Sequence, residues 1–276
     1  MHFPATFSFP RLLMLLIPLC LVVGCQSDTG DDPSGAGEGN ETDEELGLAP
    51  ESDSEPDPAP EYAAAPEGKV LRHTVFFSFK EESSEEDVQA VADAFRALPG
   101  KIEEIIDFEW GTNNSPEGLD DGFTHCFILT FADEAGRAAY LPHPAHKEFG
   151  DVLRPHMKDV FVIDYWGDAE MAEVESPLRH AVFFRFKEDA AAEDIAKVEA
   201  AFAALPEKIA EIKAFEWGTN NSPEKHDDGF THCFFVTFAD AAGRDVYLPH
   251  PEHKAFVEIV GTVLDAPRVL DFNAAE

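Results

Sequence analysis

From Leu71 to Lys80 the chain alternates, with His73, Val75, Phe77 and Phe79 on one side and Arg72, Thr74, Phe76 and Ser78 on the other. A period of two over that length predicts a β-strand. Ser83 and Glu86 stand in capping-box spacing, and Val88, Val91, Ala92, Phe95 and Leu98 follow at helical intervals until Pro99-Gly100. Ile102 to Trp110 holds a turn and a second strand, and Gly111 to Gly122 is a polar loop. Phe123 to Phe131 predicts a third strand, with His125, Phe127, Leu129 and Phe131 on one face. A second helix from Ala135 to Leu141 is interrupted by Pro142-His143-Pro144 and resumes over Ala145 to Leu153, before a fourth strand from Val160 to Tyr165.

The order β-α-β-β-α-β is the ferredoxin-like pattern, an antiparallel sheet covered by helices on one face. The whole pattern then recurs. His73-Thr-Val-Phe-Phe-Ser-Phe-Lys80 returns as His180-Ala-Val-Phe-Phe-Arg-Phe-Lys187, Phe108-Glu-Trp-Gly-Thr-Asn-Asn-Ser-Pro-Glu117 as Phe215 to Glu224, and Tyr140-Leu-Pro-His-Pro144 as Tyr247 to Pro251, each offset by 107. Solenoid units repeat every 20–50 residues or so, whereas about a hundred residues make a domain with its own core. The sheet face away from the helices is also apolar: Phe76, Cys126 and Ile128 fall on it, with Phe183, Cys233, Phe235 and Val236 assigned beside them in the second copy. An apolar face of that size needs a partner. The sibling repeat is the expected one, giving an α+β fold of two repeats packed sheet to sheet.

These residues carry a resemblance. His73-x-Val-x-Phe-x-Phe-Lys, Phe-Glu-Trp-Gly with Ser-Pro-Glu, Asp-Gly-Phe-Thr-His, and Tyr-Leu-Pro-His-Pro-x-His-Lys resemble the stress-responsive α/β-barrel (Dabb) family, in order and spacing, in both copies. The resemblance implies an intramolecular pseudo-dimeric α+β barrel with domains at 69–167 and 178–274 joined by a linker at 168–177. The linker with its flanks, Trp166 to Pro177, spans up to about 40 Å when extended, enough to bring one sheet opposite the other.

Residues 1–24 read as an export signal: Arg11 precedes an apolar core from Leu12 to Val23, too short to span a bilayer, which takes about 20 apolar residues. Val22-Val23-Gly24-Cys25 resembles a bacterial lipobox, which makes Cys25 the lipidated first mature residue. With Gln26 next, the resemblance places the protein in the bacterial cell envelope, at the outer membrane. Residues 25–68 are acidic and rich in Gly, Pro and Ser, with no Lys or Arg between Gln26 and Gly68, and are expected to form a disordered tether. The net charge of −35 and the absence of any Lys/Arg cluster argue against nucleic acid as a partner.

Candidate chemistry concentrates in four positions per repeat. His73 and His125, with His180 and His232 in the second copy, sit on strand faces directed at the helices. Tyr140 and His146, with Tyr247 and His253, flank the Pro-His-Pro break. Together they predict a pocket of imidazoles and a phenol in apolar surroundings, suited to holding a small apolar molecule or to proton transfer near neutral pH. Within the resembled family, a plant polyketide cyclase uses a Tyr and a His matching Tyr140 and His146 for an aldol condensation without metal or cofactor. Tyr140/His146 and Tyr247/His253 are therefore the candidate catalytic pairs, no cofactor is expected, and a monooxygenase-like activity rests on fold analogy alone. The alternative is a buried histidine network that fixes helix on sheet. His143 and His146, three apart, raise a zinc site, but no carboxylate is placed to support it and no metal is expected. The Gly111-Thr-Asn-Asn-Ser-Pro-Glu117 loop lacks the Lys and helix of a phosphate cradle and reads as a structured turn beside the pocket mouth.

Overall fold

The computed structural model describes residues 62–170 and 174–275. The export signal, Cys25 and the acidic stretch as far as residue 61 lie outside the described residues. In the first repeat, β1 (Lys69–Phe79), α1 (Glu85–Arg96), β2 (Asp107–Thr112), β3 (His125–Phe131), α2 (Glu134–Tyr140), α3 (Pro144–Leu153) and β4 (Met157–Asp168) follow in the predicted order. The second repeat gives β5 (Leu178–Phe186), α4 (Ala192–Ala203), β6 (Ile212–Thr219), β7 (His232–Phe238), α5 (Ala241–Tyr247), α6 (Pro251–Val260) and β8 (Leu264–Asn273). Each forms a four-stranded antiparallel sheet, ordered β2-β3-β1-β4 and β6-β7-β5-β8.

The start of α1 is one residue later than the spacing suggested. Ser84, not Ser83, is the cap, and its hydroxyl and the Asp87 carboxylate satisfy each other's backbone N–H groups. In α4 the cap position is Ala191, which has no side chain to offer. The helices cover one face of each sheet over separate cores, Phe77, Phe95 and Phe127 in the first repeat and Phe184, Phe202 and Phe234 in the second. Val236 belongs to that second helix-side core, as its counterpart Leu129 does to the first, and not to the opposite face.

The other two faces meet, and the molecule is an intramolecular pseudo-dimeric α+β barrel. Phe76, Phe161, Ile163 and Tyr165 of one sheet and Phe183, Phe235, Leu270 and Phe272 of the other form a third core in which both buried cysteines, Cys126 and Cys233, are unpaired thiols. Burial pushes both thiols well above their ordinary range, so they are inert fillers of this interior. Counterparts meet on the pseudo-twofold axis: the rings of Phe76 and Phe183 lie 5.2 Å apart, edge to face.

The barrel closes where the edge strand of one sheet meets that of the other, and the glycine of Phe-Glu-Trp-Gly permits it. A Cβ on Gly111 would come within 2.7 Å of the Asn273 carbonyl oxygen, and one on Gly218 within 2.8 Å of Tyr165. Only a residue without a side chain lets the two backbones approach.

Candidate functional site

The loop after β2 leaves its own repeat and docks on β8 of the sibling, while the loop after β6 docks on β4. Asn221 N–H donates to the Asp164 carbonyl at 2.9 Å, and Asp164 N–H donates to Asn220 Oδ1 at 3.2 Å. The reciprocal clip is Asn114 N–H to the Asp271 carbonyl at 2.7 Å and Asp271 N–H to Asn113 Oδ1 at 3.0 Å. The Asn-Asn pair that read as a turn is thus a connector between repeats.

Each clip ends at a buried carboxylate. In the first repeat Asp164 has no solvent exposure; its Oδ1 receives His73 Nδ1–H at 2.7 Å and its Oδ2 receives Arg137 Nη1–H at 2.8 Å. Arg137 also donates to the carbonyl and side-chain oxygens of Asn221, so the sibling loop completes its coordination. In the second repeat His180 Nδ1 lies 2.7 Å and Arg244 Nη1 3.0 Å from Asp271, with Arg244 donating to Asn114. Burial works against charge on His73 and His180, but the adjacent aspartates outweigh it and raise both imidazoles above their ordinary value. A carboxylate only accepts, so Nδ1 of each ring is the donor.

Beside this charged group lies the Pro-His-Pro break. The His143 and His250 rings accept the N–H groups of Ala145 and Glu252 and cap α3 and α6. Pro144 at the first helical position suits its fixed φ. The break places His146 against Tyr140, ring centres 4.3 Å apart, and His73 5.6 Å from Tyr140 on the other side. His253 and Tyr247 are 4.2 Å apart, and His180 and Tyr247 5.6 Å. His146 Nδ1 lies 2.9 Å from the Leu141 carbonyl and His253 Nδ1 3.0 Å from that of Leu248. A carbonyl only accepts, so Nδ1 carries the proton and Nε2 of the neutral ring keeps its lone pair. Burial lowers both imidazoles below their ordinary value and keeps that lone pair free at neutral pH. The Tyr140 and Tyr247 hydroxyls are buried with no hydrogen-bond partner, and burial raises both phenols above their usual range, so they stay protonated.

His73, Tyr140 and His146 line a cavity of about 300 Å³ between the first sheet and α3, walled by Val75, Phe77, Phe95, Phe149 and Leu153. Glu224 enters it from the sibling repeat, 3.8 Å from His73 Nε2. Glu117 takes the equivalent place 3.9 Å from His180 Nδ1, and burial raises its carboxyl.

His125 and His232 are not part of this arrangement. They lie on the helix-covered face, but His125 pairs with Phe77 whereas His73 pairs with Leu129. Four residues of strand separate the two sites, about 13 Å at the usual rise. His125 packs edge-on to Phe79 at 5.0 Å, and His232 bonds Glu199 on α4 at 3.0 Å, tying helix to sheet. Of the four residues expected in the pocket, three line the cavity of the first repeat, and His180, Tyr247 and His253 are grouped in the same way in the second. Among the described residues no group of three His, Cys, Asp or Glu side chains is disposed to hold a metal ion.

Sequence reasoning missed Asp164 and Asp271, Arg137 and Arg244, and the two sibling carboxylates. A signal for the aspartates was present: each is the lone charge in an apolar run, Phe161-Val-Ile-Asp164-Tyr and Val269-Leu-Asp271-Phe. Such a charge, recurring at one offset, is buried and paired, and Arg137 and Arg244 recur with it.

The same two stretches that build these sites, residues 71–167 and 178–274, match the model of the Stress responsive A/B Barrel Domain family, Dabb. The chain belongs to the Dabb family. A Dabb relative, the stress-response A/B barrel domain-containing protein HS1 of Arabidopsis thaliana, is 36% identical over 95 residues, covering 34% of this chain and 87% of its own. Olivetolic acid cyclase of Cannabis sativa is 28% identical over 96 residues, 35% of this chain and 95% of that enzyme. The solved structure of an anthrone oxidase-like protein superposes with a TM-score of 0.51 at 10% identity over 78% of this chain and 95% of that one, a likeness of fold alone. One Dabb relative thus matches about one repeat, and this chain carries two.

Proposed function

We propose that this tandem Dabb protein takes a small, largely apolar carbonyl compound into its His/Tyr pockets and acts on it by acid–base chemistry of the lyase or cyclase kind, with no cofactor. The observation that carries the reading is the Tyr140 hydroxyl: buried in a cavity wall without a partner, beside an imidazole whose Nε2 lone pair is free. A buried unpaired hydroxyl is costly, of order 1–3 kcal/mol, and is explained when a ligand supplies the partner. In this reading His146 Nε2 removes a proton from the carbon next to a carbonyl, and Tyr140 O–H donates to the carbonyl oxygen as it gains charge. The resulting carbanion attacks a second carbonyl carbon, and the proton on His146 returns to the new alkoxide. Tyr247 and His253 repeat the geometry. Likeness to a cyclase supports the reaction class in kind.

The test is mass-spectrometric identification of small molecules that copurify with the chain, followed by turnover assays on them. Retention and turnover by the native protein, both lost when Tyr140→Phe is combined with Tyr247→Phe, is the expected result. Retention without turnover makes the pocket a binding site only. The envelope location is part of the proposal and rests on Val22-Val23-Gly24-Cys25: a lipid on Cys25 holds the barrel at the outer membrane, on the acidic segment as its tether.

A further inference from the structure

Glu224 and Glu117 are half-buried, and they differ from the fully buried aspartates of this protein. Asp164 and Asp271 each have an imidazole and a guanidinium within hydrogen-bonding distance. By contrast, Oε1 of Glu224 and Oε1 of Glu117 are buried with no hydrogen-bond partner at all. The nearest imidazole nitrogens, His73 Nε2 at 3.8 Å and His180 Nδ1 at 3.9 Å, lie beyond hydrogen-bond length, and His180 Nδ1 is already committed to Asp271. Glu224 nevertheless lines the cavity with Tyr140 and His146, although its own repeat is the other one.

A loop that served only to close the barrel would end in a satisfied or apolar side chain. This one ends in an unpartnered acceptor in the wall of the first repeat's cavity, and Glu117 takes the matching position beside His180. We infer that Glu224 and Glu117 are ligand-recognition residues exchanged between the repeats, each accepting a hydrogen bond from a hydroxyl on the molecule held in the sibling's pocket. The inference rests on the pocket reading above and narrows its ligand to an apolar body carrying a hydroxyl. A neutral donor suits the site better than an ammonium. Arg137 and His73 already stand beside Asp164 and Glu224, so a hydroxyl can donate there without bringing in a further charge.

The test uses the chain from residue 62 onward, both repeats together, with 4-methylphenol, toluene and benzylamine as probes of nearly equal size, followed by calorimetry and by NMR of the histidine rings. 4-Methylphenol is expected to bind about tenfold more tightly than toluene, since a hydrogen bond to a charged acceptor contributes at least that factor. Glu224→Gln should abolish the shift that 4-methylphenol induces at His146 while leaving that at His253, and Glu117→Gln should do the reverse; toluene binding should not change in either. That crossed pattern is one that a merely structural role would not produce. Equal affinity for 4-methylphenol and toluene in the native chain overturns the inference while leaving the pocket reading in place, as does loss at the same-repeat histidine. Preference for benzylamine overturns the neutral-hydroxyl assignment. Binding of none of the three overturns both readings. The comparison of probes in the native chain stands even where a variant folds poorly.

Discussion

Arg268 lies with its guanidinium 4.2 Å from the centre of the Phe161 ring, and the two occupy equivalent positions, 107 residues apart. A residue of β8 therefore stacks on its own counterpart in β4, on the pseudo-twofold axis. The same guanidinium sits over Phe123 and Phe230 and bonds Asp121 and Asp228, so one arginine closes one end of the barrel. An interface between identical copies would place arginine against arginine or phenylalanine against phenylalanine there. The unlike pair fits only first repeat against second.

Arg268→Ala should lower the stability of the whole barrel by about 2–4 kcal/mol, the combined loss of a stacked cation and its buried stem. Denaturant unfolding of the chain from residue 62 onward checks this. Arg268→Lys, which keeps the charge but loses the flat stack, should fall between the two.

Tyr140→Phe with Tyr247→Phe should leave the unfolding midpoint unchanged or slightly raised, because the hydroxyls removed have no partners in the folded chain. Ligand retention or turnover should nevertheless be lost. A clear fall in stability, by more than about 1 kcal/mol, would mean that the hydroxyls are structural.

Protonation of the two kinds of histidine should separate in an NMR titration, with His73 and His180 above and His146 and His253 below the ordinary midpoint of about 6.5. The raised pair stabilises the fold fully below that value, and this stabilisation is lost as pH rises through their folded-state midpoints. The lowered pair, with His125, acts oppositely and costs stability as pH falls below about 6.5. Asp164→Asn with Asp271→Asn should abolish the alkaline loss, while destabilising the chain at all pH values by leaving Arg137 and Arg244 without their buried anions.

Ala191→Ser should add about 1 kcal/mol by giving α4 the cap that Ser84 gives α1. Thermal unfolding checks it, and Ser84→Ala should show the mirror-image loss.

Cys25→Ser should release the protein from the membrane fraction or block its maturation. A variant that still fractionates with membranes at the native mature mass would exclude lipidation at Cys25.

The fold was legible because a period of two in β1 and β3 and a period near 3.6 in α1 are local properties of the chain, and the exact repeat doubled every signal. The apolar face carrying Phe76 and Phe183 announced the partner sheet. The site was legible only where its residues share one repeat: Tyr140 and His146 meet across a break that two prolines mark in the sequence. His125 was misassigned because alternation fixes the face a side chain takes but not its height along the strand. Glu224 and Asn221 escaped notice for a different reason. Their roles exist only after the loop crosses to the other sheet, and no local pattern in a polar loop encodes its destination.

The exchange of loops has a consequence for how such a duplicated chain can change over time. A gene duplication ordinarily frees one copy to drift, and a repeat whose Tyr247 and His253 decayed would lose only its own chemistry. The loop ending in Glu224, however, is lent to the neighbour, and so is the Asn221 clip that steadies Arg137. Damage to the second repeat's loop is therefore felt in the first repeat's pocket. A half that lost its own Tyr and His would still have to keep its loop, and to that extent each site inherits the other repeat's mutations.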